Sequence, residues 1–316
     1  MRIAVVGPGA VGSLFAGKLS GNPENEVFLV GHTGGKRSAH LEAIERNGLS
    51  VSGETEALFT GIKTSVNPLE VGPADLIVLT TKTYSTRKAA QAAKPLLSDN
   101  TIFLILQNGL GQEKDVFEFV PRRQVLRAIT MNGVLPIAPG RIMHAGRGET
   151  VIGSLAEGQE KMLAKVKGVF DEAGLPTRIS SDIRSDVWLK TLVNAGINAV
   201  GALYGKRNGE ILEGEETARL CEAAVREGAR VARALGVRLP GDPVAKTRAV
   251  AEATYQNKNS MWVDLSAGRR TEIDAINGFI VNEGRRLGIP TPVNCELTQR
   301  IKELEAQSLK PGLNKR

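Results

Sequence analysis

Ile3-Ala4-Val5-Val6-Gly7-Pro8-Gly9-Ala10-Val11-Gly12 is the stretch whose reading decides the fold. A run of apolar, mostly β-branched residues reads as a strand buried on both faces. It stops at a glycine, and residues 11–19 then carry apolar side chains at helical spacing. Between strand and helix, Gly7, Gly9 and Gly12 form a G-x-G-x-x-G turn in which each glycine has a task. Gly7 makes the tight turn, Gly9 lets the backbone approach a diphosphate, and Gly12 lets helix and strand pack closely. The free N–H groups and the positive end of the helix favour an anion there. Glycine turns are common, so the motif alone says little. Its place after one strand, before a helix and ahead of a second strand makes Gly7, Pro8, Gly9, Ala10, Val11 and Gly12 the expected cradle of a dinucleotide.

Outward from this turn, the first half of the chain alternates strand-like runs at 2–6, 26–30, 76–80, 101–106 and 124–131 with helical stretches at 11–19 and 84–96. Apolar strands alternating with helices make a sheet covered on both faces. Residues 49–51, 58–59, 141–144 and 149–152 read as further short strands. The texture changes near Ser180. Beyond it the periodicity is helical over 185–199, 214–235, 243–254, 271–287 and 292–307. The expected architecture is α/β plus all-α: a Rossmann-like dinucleotide-binding domain over 1–180, a helical substrate and dimerisation domain over 181–310, and a frayed tail over 311–316.

Composition narrows the classes. The 316 residues carry 41 Lys and Arg against 34 Asp and Glu, a net charge of +7. The excess suits an anionic cofactor or substrate, and without a basic arm or aromatic-interleaved tract it gives nucleic-acid binding little support. Cys221 and Cys295 stand far apart and make no disulfide scaffold, which points to a reducing compartment. The chain opens directly on its first strand, and no window reaches the ~18 apolar residues of a membrane span. A cytoplasmic location without membrane contact is the expectation. His32, His40 and His144 show no metal spacing, so no metal is expected.

Cofactor choice is read after the second strand, where NAD binders usually place an acid for the ribose hydroxyls. Here Val30 leads into Gly31-His32-Thr33-Gly34-Gly35-Lys36-Arg37, without an acid. Small and basic residues suit the 2′-phosphate of NADP(H), which ranks ahead of NAD(H). Lys36 and Arg37 are either phosphate partners or a solvated helix start. Lys82, past the strand at 76–80, is a further basic candidate on the same sheet edge.

Three polar groupings remain. Gln107-Asn108-Gly109 follows a strand, where Asn108 either presents its amide to a ligand or merely turns the chain. Lys190, Asn194 and Asn198 recur every four residues and share one helix face beside Leu189, Leu192, Val193 and Ile197. That face is a polar pocket or a solvated stripe; two asparagines, poor helix formers, favour the pocket. In Arg270-Thr271-Glu272-Ile273-Asp274, Thr271 reads as the N-cap of the helix running to 287, with Glu272 and Asp274 in its first turn.

Taken in order, these motifs resemble the ketopantoate reductase (2-dehydropantoate 2-reductase) family over residues 1 to 305. The resemblance rests on the opening glycine fingerprint, Thr81-Lys82-Thr83, Gln107-Asn108-Gly109, and Trp188-Leu189-Lys190 with Asn194 and Asn198. It continues through Gly205-Lys206-Arg207-Asn208-Gly209, Ser260-Met261 with Asp264, and Gly268-Arg269-Arg270-Thr271-Glu272-Ile273-Asp274-Ala275-Ile276-Asn277-Gly278. It implies NADPH-dependent reduction of 2-dehydropantoate to (R)-pantoate, a step toward pantothenate and coenzyme A. It further implies Lys190 as catalytic acid and Glu272 as its acidic partner, near substrate and cofactor. Asn194, Asn198, Asn208 and Ser260 would orient substrate, and Asn108 would stand at the nicotinamide side. The chain departs from the pattern with Gly31-His32 where an arginine is common and with Asn259-Ser260 where two serines are. Two other readings stand beside it. One is a reductase of a different 2-oxo acid on the same skeleton; the other is an NADP-binding redox sensor without turnover. A homodimer through the helical domain is the expected assembly.

Overall fold

The computed structural model describes residues 1–31 and 37–308; His32, Lys36 and the tail from 311 lie outside the described residues. The chain divides into an α/β unit, residues 1–107 with 112–183, and a helical unit, residues 184–316 with the short segment 108–111. No helix among the described residues is long and apolar enough to cross a membrane.

In the α/β unit the strands are β1 (Arg2–Val6), β2 (Glu26–Val30), β3 (Leu49–Gly53), β4 (Ala57–Phe59), β5 (Ile62–Ser65) and β6 (Leu76–Leu79). They continue with β7 (Ile102–Ile105), β8 (Val125–Thr130), β9 (Gly133–Ala138), β10 (Arg141–Gly146), β11 (Thr150–Ser154) and β12 (Thr177–Ile179). Eight of them form one sheet in the order β12-β11-β8-β7-β6-β1-β2-β5, parallel throughout except for the β8–β11 pair. Alternate residues of β1 feed opposite cores: Ile3 and Val5 join one cluster, Ala4 and Val6 the other. This two-sided burial is why the opening run is apolar at every position. The chain runs outward from β1 to β2 and β5, then returns to β6 on the other side. The end of β1 is therefore a topological switch point, the place where open α/β sheets bind ligands.

A second sheet, β4-β3-β10-β9, contributes Leu49, Val51 and Ile142 to the first core. Of its members, β9 has no counterpart in the sequence reading, because Gly133 and Pro136 interrupt it and confine it to an edge. The short edge strands β5 and β12 were also illegible, lacking a continuous apolar run. The helix Glu160–Glu172 did carry a stripe, Leu163, Val166 and Phe170, that marks its buried face.

The helical unit holds no strand among its described residues. Its longest helix, Ile183–Tyr204, begins at the unit boundary, and Glu215–Ala234 packs against Asn277–Leu287 and Pro292–Ser308. A buried polar hub joins these four. Asn277 Nδ2 donates to the Ala195 carbonyl and to Asn294 Oδ1, both at 3.0 Å. Asn294 Nδ2 donates to the Ala224 carbonyl at 2.9 Å and to Glu227 at 2.8 Å. Glu227 also accepts from the Val293 and Asn294 amides, each at 3.0 Å, so a carboxylate from one helix caps the start of another.

One expectation is corrected here. Thr271 does not cap the helix running to 287. Its hydroxyl accepts from the Ile273 amide at 3.2 Å and covers a single 3-10 turn, Ile273–Ala275; the α-helix starts at Asn277. The break leaves the Ala275 carbonyl pointing out of the helix, where it accepts the Leu110 amide at 2.9 Å.

Candidate active site

The glycine turn stands at the carboxyl end of β1. Gly7 has φ +117°, and a Cβ there would lie 2.6 Å from the Thr81 nitrogen. A Cβ at Gly12 would lie 2.1 Å from the Gly7 carbonyl oxygen. Both are obligatory for the turn itself. Gly9 differs: a Cβ there would meet nothing within 4 Å. The fold does not need that glycine, yet it sits as N-cap of the helix Ala10–Ser20 without a side-chain cap and with no acid in the first turn. Open space over uncapped N–H groups fits a diphosphate, and Pro8, Ala10 and Val11 line the same turn.

Of the basic candidates, Arg37 pairs with Glu45 and donates to the Thr64 carbonyl at 3.3 Å. Lys82 is half-buried and precedes the 3-10 turn Thr83–Ser85 after β6. Beside it, Gln107 forms a network missed in the sequence: its Nε2 donates to the Thr81 carbonyl at 2.7 Å and to Thr86 Oγ1 at 3.0 Å.

In the helical unit, Lys190 Nζ donates to Asn108 Oδ1 at 2.9 Å. Positive φ values of +76° at Gly109 and +96° at Gly111 let the segment around Asn108 turn, and the Leu110 amide fastens it to Ala275. Glu272, buried at 7% exposure, precedes that same turn. Asn277, at the turn's other end, is bonded to Ala195, the residue after Asn194. Loop, lysine helix and glutamate turn thus meet in one junction.

Asn194 is half-buried and Asn198 is 5% exposed on the helix that bears Lys190. Asn208 donates from Nδ2 to Thr254 Oγ1 at 2.9 Å, while its buried Oδ1 has no partner. Ser260 is exposed and opens the helix Ser260–Ser266. Asn259, passed over as a site residue, caps that helix by accepting the Trp262 amide at 3.0 Å, as a serine would. Its buried Nδ2 is unpartnered, and a Cβ on Gly201 would lie 2.5 Å from it. Glycine at 201 therefore admits Asn259 to the helix face that carries Asn194. Two orphaned amide groups, one acceptor and one donor, suit a small polar ligand. No group of three or more His, Cys, Asp or Glu among the described residues is placed to hold a metal.

A dinucleotide cradle at the switch point of a doubly wound sheet, with a separate helical unit bearing a lysine among asparagines, defines an oxidoreductase that uses a nicotinamide dinucleotide. Comparison with known proteins gives the family. The model described as ketopantoate reductase PanE/ApbA matches residues 3–157, and that of its C-terminal region matches residues 182–305. The 2-dehydropantoate 2-reductase of Halobacterium salinarum is 39% identical over 305 residues, covering 96% of this chain and 98% of that one. That of Pyrococcus abyssi is 37% identical over 306 residues, covering 97% and 98%. A PanE/ApbA family ketopantoate reductase from Ralstonia eutropha superposes with a TM-score of 0.88 at 32% identity, covering 98% of this chain and all of its own. D-mandelate dehydrogenase, solved with NADH and anilino(oxo)acetate, superposes with a TM-score of 0.89 at 27% identity, covering 98% and 99%. The chain belongs to the ketopantoate reductase family.

Proposed function

We propose that this enzyme reduces 2-dehydropantoate to (R)-pantoate with NADPH, in the route to pantothenate and coenzyme A. The observation that carries the reading is the Lys190–Asn108 bond. When bound, the reduced nicotinamide supplies a hydride to the C2 carbon. Alkoxide character then grows on the former carbonyl oxygen, and a group that both stabilises that charge and releases a proton is required. An ammonium does both. Asn108 accepts one N–H of Lys190 Nζ and so orients the ammonium that serves the substrate oxygen. Glu272, buried beside the junction, balances the lysine charge and takes a substrate or ribose hydroxyl. Asn194, Asn198, Asn208 and Ser260 bind the carboxylate and hydroxyl of the substrate.

For the cofactor, the cradle at residues 7–12 holds the diphosphate, and Lys82 and Arg37 favour the 2′-phosphate, with His32 and Lys36 as further candidates. Both cysteines are free, in keeping with a reducing, cytoplasmic setting. A homodimer through the helical unit belongs to the same proposal and is tested by light scattering.

A second reading has one observation in its favour: the likeness to D-mandelate dehydrogenase, solved with NADH. It makes this chain a reductase of an aryl 2-oxo acid. Titrating the enzyme with NADPH and NADH, then assaying both with 2-dehydropantoate and phenylglyoxylate, separates the two. Tighter NADPH binding with preference for 2-dehydropantoate supports the first; preference for NADH and phenylglyoxylate supports the second.

A further inference from the structure

Among the described residues, Arg127 is the largest side chain that is fully buried, and nothing above uses it. It stands in β8. Its Nη1 donates to the carbonyls of Ile105 at 3.0 Å and Ala128 at 2.7 Å. Its Nη2 donates to the Gln107 carbonyl at 2.9 Å and reaches Gln112 Oε1 at 3.5 Å. Its Nε lies 3.0 Å from Glu113 Oε1.

Gln107 and Gln112 are the residues at which the chain leaves and re-enters the α/β unit; the four residues between them, Asn108 to Gly111, group with the helical unit. One planar fork therefore grips both ends of the segment that carries Asn108. Burying a cation is costly even when it is paired, and an apolar side chain of similar volume fills such a place without that cost. What an apolar residue cannot do is hold several carbonyls at once in a fixed plane. The segment needs such holding, because its two positive-φ glycines allow it many other paths.

We propose that Arg127 is a positioning residue for the reaction, fixing both ends of the segment so that Asn108 meets Lys190. This rests on the catalytic reading of Lys190, so the test includes a readout that needs no substrate. In the full-length protein, hydrogen exchange at the Leu110 amide reports the bond to Ala275 that holds the segment down. Arg127→Lys keeps the charge and loses the fork. It should speed Leu110 exchange by at least about tenfold, leaving amides of β1 and β6 unchanged. In turnover, kcat should fall about tenfold or more, with NADPH affinity held within about twofold. In an Asn108→Ala background the same substitution should cost less than about twofold, because what it positions is already gone.

Glu113→Gln loosens the fork from its more exposed side and carries the same readouts should Arg127→Lys fold poorly. Unchanged Leu110 exchange in the folded variants, or losses that multiply in the double variant, would overturn the proposal. Absence of turnover with 2-dehydropantoate in the wild type overturns the functional reading instead and leaves the exchange result to stand on its own.

Discussion

Lys190 and Asn108 lie 82 positions apart in sequence, and the amine of one donates to the amide oxygen of the other across 2.9 Å. An amide oxygen orients the ammonium by a hydrogen bond, as the proposed role of Lys190 as proton donor to an alkoxide requires. Removing a preorganised donor of this kind costs about 3–4 kcal/mol of transition-state stabilisation in other enzymes. Lys190→Ala should therefore lower kcat at least about 100-fold, with NADPH affinity retained. Stopped-flow single turnovers check this, and a loss confined to KM would place Lys190 in binding alone.

The Gly9 position separates fold from ligand. A Cβ there meets nothing within 4 Å, and the residue has φ −81°, which any amino acid adopts. Gly9→Val should lower stability by no more than about 1 kcal/mol, the cost of a poorer N-cap. It should nonetheless weaken dinucleotide binding by about tenfold or more, because the side chain occupies the diphosphate's approach. Calorimetry of unfolding and of NADPH binding gives both numbers.

Glu227 is the keystone of the polar hub. It is 5% exposed and satisfies two backbone amides at the start of the helix Pro292–Ser308. Glu227→Ala leaves those donors buried without partners and should cost about 3 kcal/mol. Urea unfolding measures it, with an unchanged slope expected if the native state keeps its extent.

Stability should also bend with pH. His40 Nδ1 accepts the Gly140 amide at 3.0 Å, which leaves Nε2 as the donor to Ser13 Oγ at 2.9 Å. His144 is held between Thr55 Oγ1 and Asn132 Oδ1, both at 2.9 Å. Burial disfavours the charged form of each ring and holds both below the ordinary 6.5. The unfolded chain then binds protons more readily than the native state as pH falls. The stability they contribute is complete above pH 6.5 and declines below it, through the lowered folded values. Unfolding midpoints at pH 7.5 and pH 5 should differ, and a His40→Gln, His144→Gln variant should show a smaller difference.

Much of this was legible in the chain. The β1 glycine turn, the parallel strands and the lysine–asparagine helix announce themselves through two-sided burial and fixed spacing. What stayed hidden depends on partners distant in sequence. β9 reads as a loop because Pro136 and Gly133 are tolerated only at a sheet edge, and edges are not written locally. Thr271 reads as a helix cap because the demand of Leu110 on the Ala275 carbonyl comes from 165 positions away. Asn259 looks like a departure from a serine pair until its capping of Trp262 is seen. Arg127 sits in a mostly apolar strand and gives no sign of its partners 14 to 22 positions upstream.

The most direct test of the account is the steady-state oxidation of NADPH by the purified protein with 2-dehydropantoate, followed by absorbance. The account predicts saturable turnover in the wild type, weaker activity with NADH, and collapse on Lys190→Ala. Tight NADPH binding without turnover of 2-dehydropantoate would contradict it.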